Sequence, residues 1–239
     1  MTTGNYQQGT NKLYWVKDNL LATGFPKVDQ ALRDPDGLLA IGGDLSTERL
    51  LDAYQRGIFP WFNAGQPILW WSPDPRCVLD PAEIKISRSL AKRLRKNEYT
   101  VTYNQAFRDV LEGCAAARKG IDDTWITNEV KFSYINLFKQ GYAHSVECWQ
   151  EDKLIGGLYG LALGKIFFGE SMFSRKTDAS KIALVHLAKQ LQEKKFRIID
   201  CQVHSKHLQT MGARPVHRDM FIHILNNYCS LEKTVNWAS

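Results

Sequence analysis

Apolar positions recur along this chain at two periods, and they sort it into helices and strands. A spacing of three and four marks STERLLDAYQR (46–56) as a helix, with Ser46 as N-cap, Glu48 in the first turn and Gly57 just past the end. The same spacing puts Phe107, Val110, Leu111 and Cys114 on one face of a helix over 104–118, with Asn104 as its cap. TNEVKFSYINLFKQG (127–141) is helical and closed by Gly141. DASKIALVHLAKQLQEKK (178–195) is a longer helix that starts near Asp178 or Ser180 and ends in lysines, as the helix dipole favours. SRSLAKRLRKN (87–97) reads as a basic helix and SKHLQTMG (205–212) as a short one. Alternation or short apolar runs predict strands at RCVL (76–79), YTVTY (99–103), AHSVECWQ (143–150), KLIGGLYGLALG (153–164), KIFFGESMF (165–173), FRIIDCQV (196–203) and MFIHIL (220–225). Glu151-Asp152 makes the turn between the third and fourth of these.

The first 75 residues differ from the rest: most of the prolines lie there, among them 26, 60, 67, 73 and 75, with one clear helix. SPDP (72–75) is a plausible boundary, which divides the chain into a small N-terminal domain, 1–75, and a larger α+β domain, 76–239. Trp61, Phe62, Trp70 and Trp71 crowd the end of the first part. They form either a core seam between two lobes or a partly exposed platform for a nucleobase or apolar ligand.

Composition narrows the class. A hydrophobic fraction of 44% over 239 residues fits a folded soluble protein. Net charge is +6, which by itself is weak evidence for an anionic partner. Five cysteines, at 77, 114, 148, 201 and 229, are widely spaced with no CxxC, the pattern of reduced thiols in a cytoplasmic protein. The polar start MTTGNYQQGTNKLYWVKDN has no signal-peptide h-region, and the greasiest stretch, LIGGLYGLALG, is too short to span a bilayer. The expectation is a cytosolic protein, a monomer, away from membranes.

Two acids stand where large apolar side chains dominate: Glu170 after KIFFG, and Asp200 in RIIDCQV. An unpaired acid there costs several kcal/mol. Each is a salt bridge or cap, with Arg175, Lys181 or Arg197 near enough in sequence, or part of a site. If the two strands are neighbours, the acids converge at one sheet edge, fit for a cationic ligand or an amine to be deprotonated. Gln202 follows two residues after Asp200 on the same face. His204 and His207 form an HxxH with no third ligand nearby, so no metal is expected. Ser171 sits in GES, not in a nucleophile elbow, which argues against a serine hydrolase. The stretch KISRSLAKRLRK (85–96) has six Lys/Arg and no acid; Arg88, Lys92, Arg95 and Lys96 share a broad face beside Arg93. That face is solvated surface or a phosphate-contacting patch.

GLLAIGGDLS (37–46), YQRGIFPWF (54–62), LWWSPDPR (69–76), TWIT (124–127), AHSVE (143–147), GGLYG (156–160), FFGESMFSR (167–175), ASK (179–181) and IDCQV (199–203) together resemble the bacterial leucyl/phenylalanyl-tRNA–protein transferases, from about residue 20 to 225. The resemblance implies a GNAT-like acyltransferase domain with a mixed central β-sheet flanked by helices. It implies transfer of Leu, or less readily Phe or Met, from tRNA to an N-terminal Arg or Lys of a protein, marking it for N-end rule degradation. No metal or nucleotide cofactor is implied. By position, the resemblance makes Asp200 the central acid, Gln202 its partner and Glu170 the second acid. Trp61 and Phe62 fall at the 3′-terminal adenosine and its aminoacyl group. Trp125, Tyr134, Leu158, Phe167 and Ser171 fall in or near the side-chain pocket, and Arg88, Lys92, Arg93, Arg95 and Lys96 in the tRNA-contacting cluster. Phe138 and QTMGA (209–213) depart from the family pattern. Rival readings are an acetyl-CoA-dependent N-acetyltransferase, disfavoured because GESMFSRKTDASK has one glycine and an acid where pyrophosphate would sit; a non-catalytic RNA-binding protein; and a tRNA-dependent ligase of cell-wall peptides.

Overall fold

The computed structural model describes residues 13–17, 24–96, 98–116, 125–232 and 237. The polar start before residue 13 and the end of the helix expected over 104–118 lie outside the described residues. The fold is α+β, with two mixed sheets and, among the described residues, seven α-helices. Strands β1 (Tyr14–Val16), β2 (Leu38–Gly42), β3 (Phe59–Pro60) and β4 (Leu69–Trp71) form a sheet in the order β1-β2-β4-β3, with α1 (Thr47–Gln55) beside it. None of these strands was evident from periodicity, because they are two to five residues long and interrupted by Pro and Gly.

From Arg76 onward the strands join a second sheet. They are β5 (Arg76–Leu79), β6 (Thr100–Tyr103), β7 (Ala143–Gln150), β8 (Lys153–Leu163), β9 (Ile166–Ser174), β10 (Ile198–Gln202) and β11 (Arg214–Val216), in the order β11-β5-β10-β9-β8-β7-β6. The run β6 to β9 is antiparallel, and the turn at Glu151 needs a φ of +53°. β10 returns parallel to β9, which a short turn cannot achieve; α5 (Ala179–Glu193) makes the crossover. Alternation divides the core between the two faces: Ile199 and Phe167 pack with Leu184 and Leu187 of α5, whereas Ile198 and Phe168 join the cluster containing Val110 of α3 (Phe107–Ala115) and Tyr134 of α4 (Asn128–Lys139). α2 (Arg88–Lys96) rests on α5 through Leu90, its one buried residue.

The segment MFIHIL is not a strand. Residues Arg218–Tyr228 form α7, because only Phe221 and Leu225, four apart, are buried, while Met220 is exposed. The last strand is instead RPV of β11, on the sheet edge, where a proline is tolerated. Asn104 does not cap α3. It sits at φ +59°, accepts the Ser145 N–H and contacts His144, while buried Glu147 takes the Ala106 N–H at the start of the helix. Thr127 caps α4 and Ser205 caps α6 (Lys206–Thr210) through their hydroxyls. Ser46 and Asp178 hold the N-cap positions of α1 and α5 without a side-chain cap; the N–H of Ser180 goes to Ser174 Oγ instead.

α5 lies so close to β8 that a Cβ on Gly156 would stand 2.5 Å from the Cβ of Ala179. We expect Gly156→Ala to destabilise the protein by about 1–3 kcal/mol, read as a lower urea midpoint, because the sheet and helix must separate.

Candidate active site

Glu170 and Asp200 lie on neighbouring strands, each beside an irregularity in the ladder. In β9 the register slips so that Tyr159 faces Ser171 while Gly160 faces Gly169, which leaves Glu170 as the extra residue. In β10 it slips between Asp200 and Gln202, which leaves Cys201 extra and puts Gln202 at φ +61°. Such bulges re-aim side chains at the rims of sheets. Glu170 therefore does not follow the strand, as its sequence context suggested; β9 continues to Ser174.

Gln202 joins the two acids. Its backbone N–H donates to Asp200 Oδ1 at 2.9 Å and its Nε2 donates to Glu170 Oε1 at 2.8 Å. Glu170 also accepts from Tyr54 Oη of α1 and Tyr134 Oη of α4, both at 2.7 Å, and the two phenols lie 2.5 Å apart. Loss of hydration pushes the Glu170 carboxyl up to about 7; the three donors oppose the shift and the Asp200 charge adds to it. Burial and the Glu170 charge together hold both phenols far above their ordinary values, so they act as fixed donors.

Asp200 is fully buried and belongs to an ion pair. Arg76 donates through Nε to Oδ1 at 2.8 Å and through Nη2 to Oδ2 at 2.7 Å. Its Nη1 donates to the Gly57 carbonyl at 3.1 Å, and its guanidinium lies between the rings of Phe59 and Phe221, 4.7 and 4.6 Å from their centroids. None of the three cations near in sequence serves as partner. Arg175 donates to the Leu154 carbonyl, Lys181 pairs with Asp178, and Arg197 lies over Tyr228. Arg76 and Tyr54 are the residues that sequence reasoning missed. The available signals were an arginine opening a buried strand and a tyrosine on the apolar face of α1.

The other candidates separate. Tyr134 is in the network; Trp125 packs against the same cluster, half-buried. Leu158 and Phe167 are buried in the other cluster, beneath α5, where half-buried Met172 also packs. Ser171 is half-buried, next to Glu170. The four aromatic rings divide: Phe62 and Trp70 are core, whereas Trp61 is 45% exposed and leans on Trp71 with centroids 5.8 Å apart. Arg88, Lys92, Arg93, Arg95 and Lys96 are all exposed on α2. Arg93 pairs with Asp178 and Lys96 with Glu98; among the described residues the other three make no ion pair. Among the described residues no group of three His, Cys, Asp or Glu could hold a metal, and no helix is long and apolar enough to cross a membrane.

A polar row of acid, amide, acid and phenols, where the parallel pairing of β9 and β10 stops, flanked by apolar clusters and an exposed tryptophan, defines a site for positioning polar groups beside an apolar moiety. Known proteins supply the family. Residues 78–226 match the model of "Leucyl/phenylalanyl-tRNA protein transferase" and residues 43–74 that of its N-terminal domain. The leucyl/phenylalanyl-tRNA–protein transferase of Stutzerimonas stutzeri is 52% identical over 95% of this chain and 100% of its own length. Those of Thiobacillus denitrificans and Nitrosomonas europaea are 58% and 57% identical, over 84% and 87% of this chain and 88% and 89% of theirs. A GCN5-related N-acetyltransferase from Kribbella flavida gives a TM-score of 0.33 at 8% identity, over 69% of this chain and 58% of that one, too slight to bear on the fold. The chain belongs to the leucyl/phenylalanyl-tRNA protein transferase family.

Two outcomes follow from this geometry. Arg76→Met is expected to cost about 3–5 kcal/mol in urea unfolding, because it strands a buried carboxylate, and Arg76→Met with Asp200→Leu is expected to cost less. Glu170 binds its proton more tightly folded than unfolded, so its contribution to stability is full below its ordinary value of 4.5 and is lost as pH rises through about 7. Unfolding free energies across that window are expected to flatten in Glu170→Gln.

Proposed function

We infer that this chain transfers an aminoacyl group from tRNA to the N-terminus of a protein, with Leu, and less readily Phe or Met, as the group moved and Arg or Lys as the receiving residue. A protein so extended carries an N-degron. We further propose that residues 1–75 are a small N-terminal domain and 76–239 a GNAT-like aminoacyltransferase domain, acting in the cytoplasm as a monomer with no metal or nucleotide cofactor. Supporting this division, strands before Arg76 pair only with one another, and β9 and β10 are linked through a helix, each with its acid at a bulge.

The observation that carries the chemical reading is Glu170, an acid held by three donors at the end of a hydrogen-bonded row that starts at Asp200. The donor in this reaction is already an activated ester, so catalysis is chiefly positioning. The acceptor arrives as a cation. The Glu170 carboxylate attracts it, through its amine or its guanidinium. The attacking amine must be neutral, and with Nε2 of Gln202 committed to Glu170 the amide oxygen is left to accept an N–H from it. Asp200 is enclosed by Arg76 and bonded to the Gln202 backbone, so it acts as a positioning residue that fixes Gln202, and the amine proton leaves by another group, such as the ribose hydroxyl of the tRNA. Trp61 is suited to stack on the terminal adenine, with Phe62 beneath it. Trp125 and Tyr134, with Ser171 beside Glu170, bound the aminoacyl side chain on one face of the large sheet, whereas Leu158 and Phe167 pack on its other face, beneath α5. An apolar pocket separates side chains differing by one methylene by only about 1–3 kcal/mol, which accounts for a preference for Leu that still admits Phe and Met. Arg88, Lys92 and Arg95, with Arg93 and Lys96 beside them, grip tRNA phosphates without reading bases.

The test mixes the protein with radiolabelled Leu-tRNA and two peptides, one beginning with Arg and one with Ala. Label on the Arg peptide alone, abolished by ribonuclease pretreatment of the donor, is the expected outcome; label on neither, despite tRNA binding, overturns the transferase reading. Arg88→Ala, Lys92→Ala and Arg95→Ala combined are expected to weaken all tRNAs alike and to flatten log Kd against log salt by about one unit for each phosphate no longer neutralised. An unchanged slope would move the tRNA-binding face elsewhere.

A further inference from the structure

Behind Gln202 lies a pair of reduced thiols, Cys77 and Cys201. Cys77 is on β5, beside Arg76 and opposite Gln202; Cys201 is the extra residue of the bulge between Asp200 and Gln202. Both side chains belong to the cluster beneath α5. The Cys201 thiol donates to the Ile199 carbonyl at 3.8 Å. The neighbouring Cys201 sulfur pulls the Cys77 thiol below its ordinary value, while the Cys77 sulfur and burial drive that of Cys201 well above. A bulge sets its extra residue and the next one against a single residue of the partner strand, so Cys201 shares Cys77 as its cross-strand neighbour with Gln202, close to the spacing a disulfide bridges. Cys77 is 2% exposed and Cys201 half-buried, so a small uncharged oxidant can reach the pair from the Cys201 side.

We propose that Cys77 and Cys201 are a peroxide-oxidisable dithiol whose disulfide switches off transfer at the adjoining site, an inference that rests, for its effect on activity, on the transferase reading above. The Cys77 thiolate attacks hydrogen peroxide; an S–O bond forms, the O–O bond breaks, and the departing hydroxide leaves as water. The Cys201 sulfur then displaces the sulfenic hydroxyl, forming S–S and releasing a second water. Two thiols lose two electrons and two protons in all, and one peroxide is reduced to two waters. Cys201 is flanked by the two residues that position Glu170, and the bulge holds Gln202 at φ +61°. Closing the bond draws the bulge toward β5 and turns the Gln202 amide off Glu170. The tRNA-gripping helix α2 is untouched.

The test exposes the protein to graded hydrogen peroxide, alkylates the remaining thiols, maps linked peptides by mass spectrometry, and measures Leu transfer and tRNA binding on the same samples. Two of the five thiols are expected to disappear together as a Cys77–Cys201 linked peptide. Transfer is expected to fall roughly tenfold or more in step with linkage, as a displaced positioning group would cause, with tRNA binding retained and transfer restored by dithiothreitol. Cys77→Ala and Cys77→Val, which remove a thiol that touches no proposed substrate group, are expected to keep basal transfer and to retain it at the peroxide dose that links the parent. Absence of the linked peptide, a linked protein with full transfer, or equal loss of transfer in both Cys77 variants would overturn the switch. A linked peptide from a protein without transfer even when reduced would instead refute the transferase reading and leave the dithiol standing.

Discussion

The guanidinium of Arg76 meets the carboxylate of Asp200 through two hydrogen bonds, in a place from which water is excluded. Burying two charges costs several kcal/mol per ion, and only close geometry with every remaining donor used offsets it. Here a third donor, Nη1, reaches the Gly57 carbonyl, and two aromatic faces, Phe59 and Phe221, flank the guanidinium. Those partners come from β5, β10, the end of α1 with β3, and α7, so one side chain ties the small sheet and its helix to the large sheet. Gly57 itself sits at φ +74°, where a Cβ would come within 2.9 Å of Ile222 on α7. The ion pair thus fixes the spacing of elements far apart in sequence.

That anchoring passes outward along a row of hydrogen bonds. Asp200 holds the backbone of Gln202; Gln202 and Tyr54 share Oε1 of Glu170, and Tyr134 holds Oε2. Two phenols from two helices converge on one carboxylate only if α1, α4 and β9 are all in register. Glu170 is consequently balanced: loss of hydration raises its pKa and hydrogen bonds restrain the rise, leaving it near neutrality. An acid in that state exchanges its charge at little cost when a cation approaches.

The two anionic and cationic regions of the molecule are built on opposite logics. Asp200 is buried and Glu170 half-buried, both are held by several hydrogen bonds, and their value lies in direction. The cations of α2 are exposed along one helix, and only Arg93 and Lys96 of the five make an ion pair among the described residues. Arg93 stands between them in character, paired with Asp178 at the start of α5.

Much of this was legible in the chain itself. The helices and long strands follow from apolar period, since burying one face is a local demand that sequence must meet. The acids at 170 and 200 were conspicuous because a carboxylate among Ile and Phe is costly, and the basic face of α2 follows from spacing alone. The short strands of the N-terminal sheet were hidden because pairs of residues such as Phe59–Pro60 carry no periodicity. MFIHIL reads as a strand because six residues cannot distinguish a two-residue period from a buried pair four apart. What only the tertiary structure decided is who meets whom. Arg76 and Asp200 are 124 residues apart, Tyr54 and Glu170 116, and no local rule selects a partner across such distances. The bulges that aim Glu170 and Gln202 are properties of paired strands rather than of either strand, so they arise only when the sheet is assembled.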